Sequence, residues 1–296
     1  MSKRNWALLA ATFVSIIYGV TFTIAKDVMP KYVEPFGFIT MRVGGSVLLF
    51  WLVSFFGPNE KIELADFPRI VAAAFFGVAL NMLTLFKGLN YTSPIMGAVL
   101  MVTTPMIVLV LSSFIMKERI KKRKAIGILF GLAGTLSLIL YGKSMANAPN
   151  ATLGNLLVFI NAISYGFYLI VVKKLMDKYN AFTFVKWIYT FGFMMVLPFG
   201  WNEFHAISWG GMPEAIYWKI GFVVVFSTFF TYLLNLLSMR ELKPTTVAVF
   251  IYLQPFFATF FAVGLGKDEL SMVKIISAVL IFVGVYLVTQ KKVSNQ

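Results

Sequence analysis

The chain has 296 residues, 59% of them hydrophobic and 13% charged, with a mean hydropathy of +0.83. Soluble domains carry roughly 25% charged residues, so a water-exposed surface for this much apolar bulk, 31 Phe and 12 Tyr included, is excluded. The formal charge of +14 sits in short basic runs between apolar stretches, as at Lys121-Lys122-Arg123-Lys124; that pattern orients membrane proteins and argues against nucleic-acid binding.

A helix needs roughly 20 mostly apolar residues to cross about 30 Å of hydrocarbon. Lys3 and Arg4 precede an apolar run too long for a signal-peptide core and without a small-residue cleavage site, so it reads as a retained first helix over 6–25. Further spans are expected at 36–56, 69–88, 93–115 and 125–141, then at 152–172, 182–200, 216–238, 244–265 and 273–289. Breakers such as Gly57-Pro58 and Ala148-Pro149-Asn150 mark the connections. The expected fold is an all-α membrane protein of ten transmembrane helices. Its lack of cysteine removes disulfides and thiolate metal sites.

With the N-terminus placed in the cytoplasm, 18 of the 26 Lys and Arg fall on the cytoplasmic side and 7 on the other, with Arg42 inside a span. The positive-inside rule then puts both termini in the cytoplasm. The segment from Ile17-Tyr18-Gly19 to Lys31-Tyr32 aligns with Ser164-Tyr165-Gly166 to Lys178-Tyr179 at an offset of 147. Pro94, Pro105, Lys117, Glu118 and Gly134 align with Pro244, Pro255, Lys267, Asp268 and Gly284 at an offset of 150. The chain is therefore read as two five-helix repeats, 6–141 and 152–290. An odd number of spans per repeat inverts the second in the membrane, an arrangement typical of secondary transporters.

Several ordered segments carry a resemblance. In the first half they are Tyr18-Gly19-Val20-Thr21-Phe22 with Lys26, Ala79-Leu80-Asn81, Asn90-Tyr91-Thr92-Ser93-Pro94, Thr104-Pro105 and Glu118-Arg119-Ile120. In the second they are Thr228-Phe229-Phe230-Thr231-Tyr232, Lys243-Pro244-Thr245, Tyr252-Leu253-Gln254-Pro255 and Gly284-Val285-Tyr286. Together they resemble the EamA-like family of the drug/metabolite transporter superfamily, from about residue 6 to 290. Tyr18 stands where that family usually has Trp. The resemblance implies ten helices, cytoplasmic termini, a bacterial inner-membrane location and export or exchange of metabolites such as amino acids, with no cofactor and a monomer or weak homo-oligomer in the bilayer.

Polar groups within hydrocarbon are costly unless they face a cavity or a partner. Gly77, Asn81, Thr84 and Gly88 form one stripe, Ser227, Thr231, Asn235 and Ser238 its counterpart, and Asn161, Ser164, Tyr165 and Tyr168 face Tyr18 and Thr21. They read either as a solute-lining wall or as close helix packing. The candidate solute-binding set is Tyr18, Thr21, Arg42, Asn81, Thr84, Thr104, Tyr165, Tyr168, Thr231, Asn235 and Gln254. Arg42 either attracts an anionic group of the solute or snorkels to the headgroups, whereas Lys186 reads as an interfacial anchor. Pro105 and Pro255 fall mid-span in matching places, freeing the carbonyls of Met101 and Ile251 for bending or binding, and are the candidate gates. Pro94 and Pro244 open spans, where proline is preorganised.

His205, the sole histidine, is expected in a loop, so no catalytic or metal constellation is visible. Every Asp and Glu falls in a connection or at a span end, Glu118 and Asp268 among them, leaving no membrane carboxylate to carry a proton. The expectation is an alternating-access transporter that exports or exchanges a small, amino acid-like metabolite. The alternatives are an uptake permease or antiporter for a sugar phosphate or nucleotide sugar, which calls for more cavity cations than Arg42, and a membrane-embedded enzyme or scaffold.

Overall fold

The computed structural model describes residues 2–58, 60–91, 100–117, 119–140, 150–264 and 271–290. The expectations placed on Thr92, Ser93, Pro94, Glu118, Lys143, Lys267, Asp268 and Glu269 lie outside the described residues. Among the described residues there is no strand.

The first repeat contains α1 (Lys3–Val28), α2 (Pro35–Ser54), α3 (Phe67–Ala74), α4 (Leu80–Tyr91), α5 (Thr104–Ile115) and α6 (Lys122–Leu140). A π-helical segment, Phe75–Ala79, joins α3 to α4 without a break. The second contains α7 (Ala151–Met176), α8 (Ala181–His205), α9 (Glu214–Phe222), α10 (Thr231–Glu241), α11 (Pro244–Val249), α12 (Leu253–Gly264) and α13 (Met272–Thr289). Here α9 runs into α10 through the π segment Val223–Phe230, and α11 into α12 through a 3₁₀ turn, Phe250–Tyr252.

Seven helical runs among the described residues are long and apolar enough to cross a membrane. α1, with 26 residues, and α6, with 19, also have spanning length. Leu48, Leu52, Phe55, Phe114, Phe260 and Ile276 are all more than half exposed, which bare water would disfavour and lipid tails accept. The molecule is a multi-pass membrane protein.

Equivalent helices of the two repeats pack against each other in opposite directions. Along α2 and α8, Gly37 meets Glu203, Gly44 meets Phe193, Trp51 meets Thr190 and Gly57 meets Phe182, so one chain ascends as the other descends. Along α6 and α13, Gly127 faces the Gly284 carbonyl and Gly134 the Ser277 carbonyl, again antiparallel. The first helix of each repeat crosses the fourth of the other at a glycine: Gly19 against Phe257 and Ala258, Gly166 against Ile107 and Val108. These contacts follow the 147 and 150 offsets of the sequence repeat.

The α2–α8 pair is also tied at both ends. Glu203 Oε2 accepts from the Phe36 and Gly37 N–H groups at 2.6 and 2.9 Å, satisfying donors that the first turn of α2 leaves open. At the opposite end Glu60 Oε2 accepts from Asn180 N–H and Thr183 Oγ1–H, both at 2.8 Å, where α8 starts. Near this second tie, Lys178 bridges Glu63 and Asp66 at 2.7 and 2.6 Å, and the Tyr179 hydroxyl donates to Asp66 at 2.8 Å. The connection before α3 is thereby fastened to the connection before α8.

Two expectations need correction. α8 does not stop at 200 with His205 in a loop; it passes Pro198 and ends on His205, whose Nδ1 lies 3.0 Å from the Trp201 carbonyl one turn back. Phe204 packs against the cluster around Val33 and Ile207 while Glu203 caps α2, so tertiary contacts hold the last turn. Second, Pro105 is not interior to a helix. The chain turns at Val102-Thr103, and Pro105 sits in the first turn of α5, where its missing N–H is cheap. The Met101 carbonyl is not free either: Thr104 Oγ1 donates to it at 2.6 Å. Pro255 likewise sits in the first turn of α12, behind the 3₁₀ turn.

Candidate functional site

The two π segments occupy matching points of the repeats, a shift of about 150 residues apart. A π segment shifts the hydrogen-bond register, so some carbonyls look for side-chain donors, and such segments recur at functional sites. Here Phe76 O accepts from Ser164 Oγ at 2.7 Å, Gly77 O from the Tyr232 hydroxyl at 2.9 Å, and Val223 O from Thr228 Oγ1 at 2.8 Å. Each bond fixes one buried polar side chain.

Arg42 reaches one of these side chains. It is 6% exposed, its Nε–H donates to Thr228 Oγ1 at 3.0 Å, and its guanidinium stands 5.7 Å from the Phe86 ring centroid. Thr228 has given its own proton to Val223 O, which leaves its oxygen as the acceptor. Arg42 therefore points into the protein instead of snorkelling. Among the described residues no carboxylate pairs with it. An isolated buried charge is costly unless paired, so the site presents an uncompensated cation.

A chain of tyrosines begins one helical turn beyond Thr228, at Tyr232. Thr231, beside Tyr232, donates its hydroxyl to Ser227 O at 2.7 Å. Ring centroids run Tyr165 to Tyr168 at 6.0 Å, Tyr168 to Tyr232 at 6.2 Å, and Tyr232 to Tyr189 at 5.2 Å. Tyr189 in turn rests 4.5 Å from Phe50. Tyr18 and Tyr165 are half-buried, whereas Tyr168, Tyr189 and Tyr232 are buried. Gly77 makes room for this wall: a Cβ there would overlap the Tyr168 ring.

Of the residues singled out in the sequence, Tyr165 and Tyr168 stand in this chain of rings, Thr231 adjoins Tyr232, Arg42 is joined to the same helix through Thr228, and Tyr18 is half-buried on α1. Thr21 is buried one turn beyond Tyr18 and back-bonds to Ile17 O. Asn81 and Thr84 are buried on α4; the Asn81 carbonyl accepts from Asn161 Nδ2 at 2.7 Å and Thr84 back-bonds to Leu80. Asn235 is buried one turn beyond Thr231. Thr104 is spent on Met101, and Gln254 lies where α12 crosses Gly19. Ser238 donates to the Ala7 carbonyl at 3.1 Å, and Gly88 packs on α7, so these two serve helix packing.

Thr228, Phe86, Tyr189 and Tyr232 were not singled out. Thr228 and Tyr232 had a signal, since both stand in a segment that carries the family resemblance. Tyr189 had a weaker one, a phenol in the middle of an apolar span. Phe86 had none.

Comparison with known proteins follows the same lines. The model of the EamA-like transporter family matches residues 5–140 and 152–290. An uncharacterized transporter of Archaeoglobus fulgidus is 26% identical over 289 residues, covering 98% of this chain and all of the relative. The uncharacterized transporter YetK of Bacillus subtilis is 25% identical, over 75% of this chain and 68% of its own. One solved crystal structure shares the fold at a TM-score of 0.77, with 16% identity and 95% of each chain covered.

Proposed function

Because the chain belongs to the EamA-like transporter family, we propose that this membrane transporter exports or exchanges a small carboxylate-bearing metabolite, an amino acid or a close relative, by alternating access. The observation that carries the reading is Arg42: buried, within the apolar helix α2, and without a carboxylate partner among the described residues. A solute carboxylate supplies the missing countercharge, and a bidentate arginine–carboxylate pair is among the stronger hydrogen-bonded contacts available. The tyrosine rings give the rest of the solute an apolar wall with hydroxyl tips.

The mechanism follows from the repeat. Ten helices, arranged as two inverted halves with both termini cytoplasmic, would rock about the central site and open it to each side in turn. The antiparallel packing of α2 on α8 and of α6 on α13 supports that relation. So do the paired ties at Glu60 and Glu203, one at each end of the same helix pair. The π segments, with their side-chain-bonded carbonyls, are the points at which their helices change register, and they join Pro105 and Pro255, at the breaks before α5 and α12, as candidate gates. A bacterial inner membrane is the setting the family resemblance favours.

A thermal-shift screen of the detergent-solubilised protein tests the reading. Amino and keto acids should raise the melting temperature in wild type and not in Arg42→Met. Stabilisation by neutral sugars alone, unchanged in the variant, would move the site elsewhere.

A further inference from the structure

One cavity has none of the tyrosines described above in its lining. It holds about 620 Å³ between the end of α2 and the start of α8, with Trp51, Trp187, Phe67, Ser54, Lys61 and Lys186 in its lining. Lys186 is half-buried; its Nζ lies 3.3 Å from Ser54 Oγ and 4.6 Å from the Trp51 ring centroid. Neither Lys186 nor Lys61 forms an ion pair among the described residues. The acid in the lining, Glu60, is already committed to Asn180 N–H and Thr183 Oγ1–H. Those neutral donors leave the Glu60 carboxylate charged, so the lining holds two lysines against one acid and is net positive.

Its walls are aromatic. Trp51 and Trp187 meet edge to face at 5.3 Å, and Phe67 stands 5.7 Å from Trp187. Trp51 Nε1–H is taken by Thr190 at 3.0 Å, whereas the Trp187 indole N–H has no partner among the described residues. Beside the opening, Leu52, Phe55 and Phe56 are 57, 78 and 86% exposed, a bare apolar track along the end of α2. Tryptophan with lysine at the end of a membrane helix is the composition of the headgroup layer. A soluble anion would use the lysines and leave the indoles and the apolar track unused; a phospholipid uses all three.

We propose that this cavity binds an anionic phospholipid, its phosphate between Lys186 and Lys61 within reach of Ser54 Oγ and the Trp187 indole N–H, and its acyl chains along Leu52, Phe55 and Phe56. The lipid sits across α2 and α8, which belong to different repeats, at the end tied by Glu60. It is a resident of the helix pair, separate from the solute.

The test uses the full chain in mild detergent, with phosphatidylglycerol and phosphatidylcholine supplied at equal mole fraction and bound lipid counted by native mass spectrometry. A phosphatidylglycerol adduct should persist that phosphatidylcholine does not replace. Its retention should weaken roughly tenfold or more in the Lys61→Gln/Lys186→Gln variant. Lys186→Arg, which keeps the charge, should retain it. Should the double glutamine variant fold poorly, quenching of wild-type tryptophan fluorescence by brominated phosphatidylglycerol, beyond that by brominated phosphatidylcholine, and its loss in Trp51→Phe/Trp187→Phe, decides the matter. Equal retention of both lipids, unchanged retention or quenching in the variants, or displacement of the lipid by millimolar inorganic phosphate overturns the proposal.

Discussion

Arg42 on α2 donates its Nε–H to Thr228 Oγ1 at 3.0 Å, across 186 positions of sequence and from one repeat to the other. The bond fixes one edge of the guanidinium and leaves its terminal nitrogens for a ligand. It also joins the second helix of the first repeat to the π segment of the second, so loading the arginine reaches both halves at once.

Replacing Arg42 by Met removes a buried charge together with its solute contact. Loss of a charge-assisted hydrogen bond costs about 1.5–3 kcal/mol, so apparent solute affinity should fall at least about tenfold. Folding stability should hold or rise, since apolar replacements for buried charges are often neutral or better. Arg42→Lys should rescue transport only in part, because an ammonium lacks the planar fork. Flux and melting temperature, measured on the same preparations, check both halves of the statement.

Gly77 and Tyr168 are coupled by shape. A methyl at position 77 overlaps the Tyr168 ring, so Gly77→Ala should cost about 1–3 kcal/mol as overpacking and slow transport. Tyr168→Phe keeps the ring and should not relieve the defect. Tyr168→Val should relieve it, giving a clear non-additive double-mutant cycle in denaturation midpoints.

Most of the fold was legible in the sequence because spanning a bilayer demands long apolar runs, and the 147 and 150 offsets were strong enough to expose the repeat. Gly19 and Gly166, paired by that offset, do make paired contacts with α12 and α5. The π segments were not legible, since a single shifted turn leaves the apolar pattern unchanged, and Thr228 went unnoticed with them. Pro105 misled for a related reason: residue type marks a break but not which side of it the helix resumes. The last turn of α8 rests on the Glu203 cap and on Phe204 packing, contacts between distant segments that local propensity does not carry.

The Glu60 and Glu203 ties should behave as independent caps at opposite ends of α2–α8. Each alanine substitution should destabilise by about 1 kcal/mol, and the double variant by the sum, because the sites are far apart and share no partner. Accessibility of cysteines placed near each end should change asymmetrically, Glu203→Ala loosening the Phe36 end alone. Equal loosening of both ends by either variant would contradict the picture of two separate ties.

The tie at the start of α3 carries a pH signature. Hydrogen bonds from Lys178, then Tyr179, hold the Asp66 carboxyl below its ordinary value of 3.8. Those from Asp66, then Glu63, hold Lys178 above 10.5. The Asp66 contribution is present above pH 3.8 and lost as pH falls through the lowered value. The Lys178 contribution is present below pH 10.5 and lost as pH rises through the raised one. Asp66→Asn should therefore lower the melting temperature at pH 7 by an amount constant from about pH 5 to 9, with the difference from wild type closing in strong acid.

The central claim, that a carboxylate on the solute is bound by Arg42 and exchanged across the membrane, is tested most directly by counterflow. Proteoliposomes preloaded with an unlabelled amino or keto acid are diluted into labelled acid with no pH gradient, with wild type, Arg42→Met and the solute's neutral amide compared side by side. No carboxylate among the described residues lines the site, so exchange should proceed without a proton gradient. The account predicts accumulation for at least one acid in wild type, little for its amide, and none in Arg42→Met. Equal counterflow of acid and amide, or full flux in Arg42→Met, would contradict it.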